Sequence, residues 1–122
     1  MFTHLHVHTN YSLLDGLPTP KALAKKAKEL GQTALAITDH GYMYGVVDFY
    51  NACVAEGIKP IIGIELYTTS NIYEKSQATR SSGHIILLAK DETGYKNLVK
   101  LASIAAVHGL YYRPRIDLDH MA

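Results

Sequence analysis

Apolar and polar residues alternate from Thr3 to His8, the period of a half-buried strand. Thr9-Asn10-Tyr11-Ser12 breaks the alternation. Leu17-Pro18-Thr19-Pro20 then reads as a helix start, with Thr19 as cap and Pro20 in the first turn. Ala22, Leu23, Ala27 and Leu30 follow at helical spacing, and Gly31 closes that helix. Ala34-Leu35-Ala36-Ile37 is a short apolar run of the buried parallel-strand type, and Thr38-Asp39-His40-Gly41 turns the chain. A second helix is expected over Val46 to Glu56, stopped by Gly57. Ile58 to Leu66 predicts another buried strand, with Pro60 near its start. Thr69 to Gly83 is polar and predicts a long loop before a fourth strand over His84 to Ala89. Asp91 can cap a helix from Glu92 to about Val107. The tail from His108 is irregular, with a helix start at Asp117-Leu118-Asp119.

The predicted order is β-α-β-α-β-loop-β-α, an α/β pattern that argues for a parallel sheet with right-handed crossovers. Four strands do not close a barrel of about eight. The residues alone leave two architectures open: a small open α/β domain, or the first half of a barrel.

The 122 residues suit one domain or part of one. The apolar runs are short and interrupted, which excludes a membrane-spanning helix. No charged leader with an apolar core opens the chain, so a natural start near Met1 and no secretion are expected. The single cysteine, Cys53, rules out an internal disulfide and fits a reducing cytoplasm. A net charge of +1 leaves no broad basic face, so any grip on DNA must be local or lie elsewhere. Seven histidines are the unusual feature.

In parallel α/β folds, function gathers at the C-terminal ends of strands. The first predicted strand ends in His6-Val7-His8, whose period of two puts both imidazoles on one face. The second ends in Asp39-His40 and the third in Gly63-Ile64-Glu65. Asp15, in the loop after the first strand, can lean over the same rim. Each signal alone has a plain structural explanation: a surface His-x-His, a capping aspartate, an exposed strand end. Together, ionisable groups converging on one rim would repel or stay unsatisfied without a counter-ion. Imidazole with carboxylate suits zinc, manganese or iron, and more than four such ligands imply two or three ions. Clustered metals activate water and clamp both oxygens of a phosphoryl transfer, which points to phosphoester hydrolysis.

Other residues carry less. His84 opens a strand, and in a parallel sheet that end faces away from chemistry. His4 shares the parity of His6 and is expected one step deeper, in the barrel interior behind the ligands. His108 near a helix end suits the macrodipole, and His120 has no readable role. Cys53 falls in a helix with Phe49 and Val54 and reads as packing. Tyr11, Tyr42 and Tyr44 either stack on a base or sugar or anchor their loops.

The stretch His4-Leu-His-Val-His-Thr-Asn-Tyr-Ser-Leu-Leu-Asp-Gly16 resembles the first motif of the PHP (polymerase and histidinol phosphatase) family, in the form seen at the front of bacterial DNA polymerase III alpha subunits. Ala36-Ile-Thr-Asp-His-Gly41 resembles the second motif, and Gly57-Ile-Lys-Pro-Ile-Ile-Gly-Ile-Glu65 resembles the stretch with the third-motif glutamate. His84 to Leu98 and Tyr112-Arg-Pro-Arg-Ile-Asp117 are also similar to the polymerase members. The resemblance implies a distorted (β/α)7 barrel of the triosephosphate isomerase kind, of which this chain is the N-terminal portion. It implies up to three divalent metals held by His6, His8, Asp15, His40, Glu65 and His84, with His8, Asp15 and His40 at the chemistry. Under it His84 becomes a ligand, and Asp39 orients His40.

The implied activity is metal-dependent phosphoester hydrolysis, as a proofreading 3′–5′ exonuclease within a replicative DNA polymerase, with a DNA 3′ end and other replicase subunits as partners. Two alternatives stay open. One is a free-standing phosphatase for a small phosphomonoester, against which the tyrosine-rich tail and the helix start at Lys90 to Leu98 argue. The other is a non-catalytic module that braces the polymerase. The family pattern continues with a cysteine or histidine and an Asp-x-His pair that do not occur here. The expectation is therefore a partial domain with incomplete metal loading, no polymerase activity, and open sheet edges that invite self-association.

Overall fold

The computed structural model describes residues 1–80 and 82–122. The elements are α1 (Pro20–Glu29), β1 (Ala34–Ile37), α2 (Val46–Glu56), β2 (Lys59–Thr68), β3 (Gly83–Leu88), α3 (Glu92–Val107), β4 (Arg115–Ile116) and α4 (Leu118–Met121), with a 3-10 turn at Gln77–Thr79. The helix starts obey local chemistry. Thr19 accepts from the Ala22 amide at the head of α1, and Asp91 from the Gly94 amide at the head of α3. Gly57, at φ 70, ends α2 in the left-handed conformation that a side chain resists.

The chain forms a mixed α/β fold organised around β2. β1 pairs with the first half of β2 in parallel, with Ala34 opposite Lys59 and Ile37 opposite Ile62. His40 extends that edge by a parallel bridge to Glu65, and β4 continues it with Arg115 opposite Tyr67. β3 lies on the other edge of β2. One core packs α1 and α2 on the β1 side around Ala24, Ala27, Leu35, Ile37, Phe49 and Cys53. A second packs α3 and β4 on the later half of β2 around Ile64, Leu66, Leu98, Ala105 and Ile116. Phe49 is fully buried between the first helix pair and the sheet, a burial worth about 1.5–3 kcal/mol. Cys53 is equally buried, as the packing reading expects.

Two expectations change. Residues 3–8 do not form a regular strand. The segment runs beside β1 with two backbone bonds, from the Ala36 amide to the His4 carbonyl at 3.1 Å and from the Thr38 amide to the Val7 carbonyl at 2.8 Å. The Thr38 hydroxyl accepts from the Val7 amide at 2.8 Å where a ladder would use a carbonyl, and the chain bends at His6. The second change is the direction of β3, which is antiparallel to β2, with Gly63 opposite Leu88 and Thr68 opposite Gly83. A parallel return needs a crossover, usually a helix. Between β2 and β3 the described residues hold only the short 3-10 turn, so the chain reverses and starts β3 at the end where β2 finishes. Among the described residues, no helix is long and apolar enough to cross a membrane.

Candidate metal centre

Glu65 is the focus of the site. It lies in β2 with 3% of its surface exposed. Its Oε2 is 3.0 Å from His6 Nε2 and 3.0 Å from His8 Nε2, and 3.5 Å from His40 Nδ1. Its other oxygen, Oε1, is 3.7 Å from His84 Nε2. A buried carboxylate thus faces four imidazoles from three stretches of chain. The His6 and His8 Nε2 atoms are themselves 3.2 Å apart, so two nitrogens and one carboxylate oxygen crowd a common point.

A second cluster shares His8. Asp15 Oδ2 is 2.6 Å from His40 Nε2 and 3.8 Å from His8 Nε2, and the His8 and His40 rings stack with centroids 4.0 Å apart. The sets His6–His8–Glu65 and His8–Asp15–His40 each bring three ligating atoms within 4.8 Å of one another, close enough to hold a metal ion. Six residues named from the sequence, His6, His8, Asp15, His40, Glu65 and His84, therefore stand on one rim. His84 is there because β3 is antiparallel: the start of such a strand lies at the same rim as the finish of its parallel neighbours.

The loop behind the ligands is pinned by Asp39, which is buried. Its carboxylate accepts from the Thr9 amide at 2.6 Å, the Thr9 hydroxyl at 2.7 Å and the Ser12 hydroxyl at 2.7 Å. Ser12 in turn accepts from the His40 amide at 3.1 Å. Asp39 therefore acts on His40 through Ser12 and the backbone, not by bonding its ring. Thr9 and Ser12 were missed from the sequence, where they looked like turn residues; their spacing after His8, opposite a buried aspartate, was the signal. Gly41, at φ 70, closes the turn after His40, and a Cβ there would stand 2.7 Å from Pro114 Cγ. Tyr67 stacks on the His40 ring at 6.2 Å between centroids.

His4 does not lie behind the ligands. The bend at His6 interrupts the alternation, and His4 is exposed, its ring edge-on to Phe2 at 4.7 Å. The loop tyrosines divide. Tyr11 anchors its loop by donating to Asp48 and covering Gly45, and Tyr42 stacks on Tyr44 at 4.8 Å. His120, silent in the sequence, pairs with Asp117 at 2.6 Å.

The electrostatics suit cations. Burial, reinforced by the neighbouring His40 imidazole, lowers the pKa of His8 below the ordinary histidine value, so its ring is neutral near pH 7, as a ligand must be. The hydrogen bond to His40 holds the Asp15 carboxyl below the usual carboxylate range. Nδ1 of His8 and Nδ1 of His40 are buried without a hydrogen-bond partner among the described residues. His6 Nε2 and His8 Nε2 crowd one oxygen of a buried carboxylate, and a divalent ion among these donors is what such an arrangement accommodates. The donor set fits a divalent metal.

Residues 4–122 match the model of the PHP domain. The chain belongs to the PHP domain family. Curated relatives of this PHP chain include the DNA polymerase III alpha subunit of Treponema pallidum, 52% identical over 99% of the chain, and that of Helicobacter pylori strain 26695, 51% identical over 95%. The chain spans only 11% and 10% of the length of those two relatives. Among solved structures, an amidohydrolase from Chromobacterium violaceum with bound sulfate and no metal shares the fold over 84% of the PHP chain and 34% of its own, at TM-score 0.58 and 24% identity. A candidate metal-dependent phosphoesterase from Bifidobacterium adolescentis does so over 85% and 34%, at TM-score 0.56 and 21% identity. Both likenesses establish the fold alone.

Proposed function

We propose that the chain is the N-terminal portion of the PHP domain of a bacterial replicative DNA polymerase alpha subunit, and that its histidine rim is a phosphoesterase centre serving as a 3′–5′ exonuclease. The observation that carries this reading is His8, shared by two three-residue clusters, with its Nε2 3.0 Å from the buried Glu65 carboxylate. The high identity to alpha subunits over nearly the whole chain supports the parent protein.

His6, His8 and Glu65 would hold one ion; His8, Asp15 and His40 a second; and His84, beside Oε1 of Glu65, would add a ligand. Bound zinc, manganese or iron would supply Lewis acidity toward a phosphoryl group and a nucleophile from water at neutral pH. The chain's own residues prepare that chemistry. Glu65, buried among imidazoles, offers a fixed negative charge that water cannot screen. Asp39 fixes residues 9–12 through three hydrogen bonds, so His8 and Asp15 arrive at the rim in one geometry. Asp15 Oδ2 and His40 Nε2, 2.6 Å apart, place a carboxylate and an imidazole side by side at the solvent side of the cluster. The expected surroundings are a DNA 3′ end, other replicase subunits and the cytoplasm.

The test uses the intact alpha subunit. It should release nucleotides from a labelled 3′ end with added zinc or manganese, and His8→Ala should slow release more than about 100-fold, beyond the 10–100-fold typical of losing a residue that only supports a ligand. Degradation unchanged in His8→Ala would place the nuclease elsewhere and sink the reading.

A further inference from the structure

Beside the rim lies a cationic and aromatic cleft that the metal centre does not use. It is an open cavity of about 530 Å³ lined by Gln77, Arg80, Ser82, Tyr112 and Arg113. The Arg113 guanidinium lies 4.9 Å from the centroid of the Tyr67 ring, and Tyr67 stacks on His40. One aromatic ring thus separates Arg113 from a candidate ligand. The neighbourhood is built in: Pro114 packs into the space left by the missing Cβ of Gly41, which ties residues 111–114 to the turn carrying His40.

The far wall is Tyr112. Its backbone is left-handed, φ 60, a conformation that costs a non-glycine residue, and the Tyr111 amide donates to the Arg113 carbonyl across it at 3.1 Å. The turn pushes the Tyr112 ring outward, 68% exposed. The Arg80 guanidinium sits 4.2 Å from the ring centroid, and Tyr111 meets the ring edge-on at 4.8 Å. Held by a cation on its face and by Tyr111, the ring is a preorganised and largely exposed aromatic platform. Among the described residues, neither Arg80 nor Arg113 forms an ion pair. Two uncompensated arginines around an exposed aromatic, in a chain of net charge +1, are a local grip and not a general basic face.

We propose that Arg80, Tyr112 and Arg113 form a subsite for single-stranded nucleic acid, in which the arginines hold backbone phosphates and Tyr112 stacks a base, feeding the strand past Tyr67 to the histidine rim. The assignment of the strand as substrate rests on the phosphoesterase reading; the subsite itself makes a separate prediction. Stacking tolerates any base, so the grip is sequence-independent. The arginines give it a salt dependence, with a slope of about 0.7 in log K against log salt per phosphate held on a single strand.

The experiment follows a fluorescein-labelled oligothymidylate by anisotropy in chelating buffer, so that metal loading plays no part. Elemental analysis of the same proteins without chelator tests the metal reading on its own. Arg80→Gln with Arg113→Gln should weaken binding about tenfold or more and lower the salt slope by about 0.7 per arginine. Tyr112→Ala should weaken it about tenfold with the slope unchanged, and Tyr112→Trp should restore it. All variants should keep the wild-type far-ultraviolet spectrum and metal content, because the three residues are exposed and none is a candidate ligand. Wild-type affinity and slope in the double-arginine variant would overturn the subsite. So would an arginine effect reproduced in full by competing inorganic phosphate with no effect of Tyr112→Ala, which would reduce the cleft to an anion patch. Strand binding by a wild type that elemental analysis finds without metal even in the absence of chelator would keep the subsite while removing the phosphoesterase reading.

Discussion

The histidine rim and the Arg115 site both bury charged side chains, and they solve the problem of buried charge in opposite ways. Arg115 is fully buried, yet each of its three nitrogens has backbone partners: Nε donates to Gly109 at 2.9 Å, Nη1 to Thr79 at 3.0 Å, and Nη2 to Ile72 at 3.1 Å and Glu74 at 3.2 Å. The guanidinium gathers carbonyls from the loop after β2 and from the turn after α3, and no further group is called for. At the rim, Glu65 is also buried, but two of its imidazole neighbours, His8 and His40, each keep a buried ring nitrogen without a hydrogen-bond partner among the described residues. A polar cluster that the chain satisfies by itself is architecture. One that it leaves unsatisfied needs something from outside.

The contrast breaks first at Arg115. Arg115→Met keeps an apolar stem but removes the guanidinium and strands four carbonyl groups, and it should cost about 3–5 kcal/mol in chemical denaturation. That is a large part of the roughly 5–15 kcal/mol a domain has, so partial unfolding at room temperature is expected. A loss under about 1 kcal/mol would show that the carbonyls find water instead and that the cage is incidental. The rim should respond the other way. Glu65→Gln keeps the shape and removes the charge, and in metal-free protein it should shift stability by less than about 1 kcal/mol, because a buried carboxylate costs about as much in desolvation as it gains. The wild type should gain about 2.7 kcal/mol at a metal concentration one hundred times Kd, and Glu65→Gln should lose that gain. Thermal melts with and without zinc measure both. Metal-dependent stabilisation that survives in Glu65→Gln would remove Glu65 from the centre.

The same division explains what the sequence disclosed. Elements with a local code were legible: α2 begins at Val46 and stops at Gly57 as its pattern predicts, and the Thr19 and Asp91 caps are where their spacing puts them. The convergence of His6, His8, His40 and Glu65 was legible because strand ends in α/β folds share a rim. His84 was not placed by the residues alone, because its position depends on the direction of β3. That direction follows from a connection with too little helix for a crossover, a clue present in the polar run after Thr68. His4 was misplaced because strand parity was carried through a segment that bends. Arg115 could not be found at all. A cage of carbonyls from residues 72, 74, 79 and 109 has no side-chain signature, since every residue contributes the same backbone group.

The smallest expected effect comes from a pair that imitates the rim. His120 Nδ1 is 2.6 Å from Asp117, the same separation as His40 from Asp15. The surroundings differ: the Asp15 side chain is 56% exposed and that of Asp117 only 6%. Asp117 also accepts from the Ile72 amide at 3.0 Å and the His120 amide at 3.1 Å. Burial pushes the Asp117 pKa up, but the His120 hydrogen bond and these two amides outweigh it and hold it below the ordinary carboxylate value. A carboxyl whose folded pKa is depressed contributes stability above its unfolded pKa of about 3.9 and loses it as pH falls through the folded value. Asp117→Asn should therefore lower Tm by a few degrees at pH 7, an effect of about 1 kcal/mol, and the two melting curves should converge as the pH is lowered below 3.9. Asp15→Asn should move the metal-free Tm less over the same range, because solvent screens an aspartate whose side chain is 56% exposed. If both substitutions moved Tm alike, partner satisfaction would no longer separate the structural histidine–carboxylate pair from the one kept for a ligand.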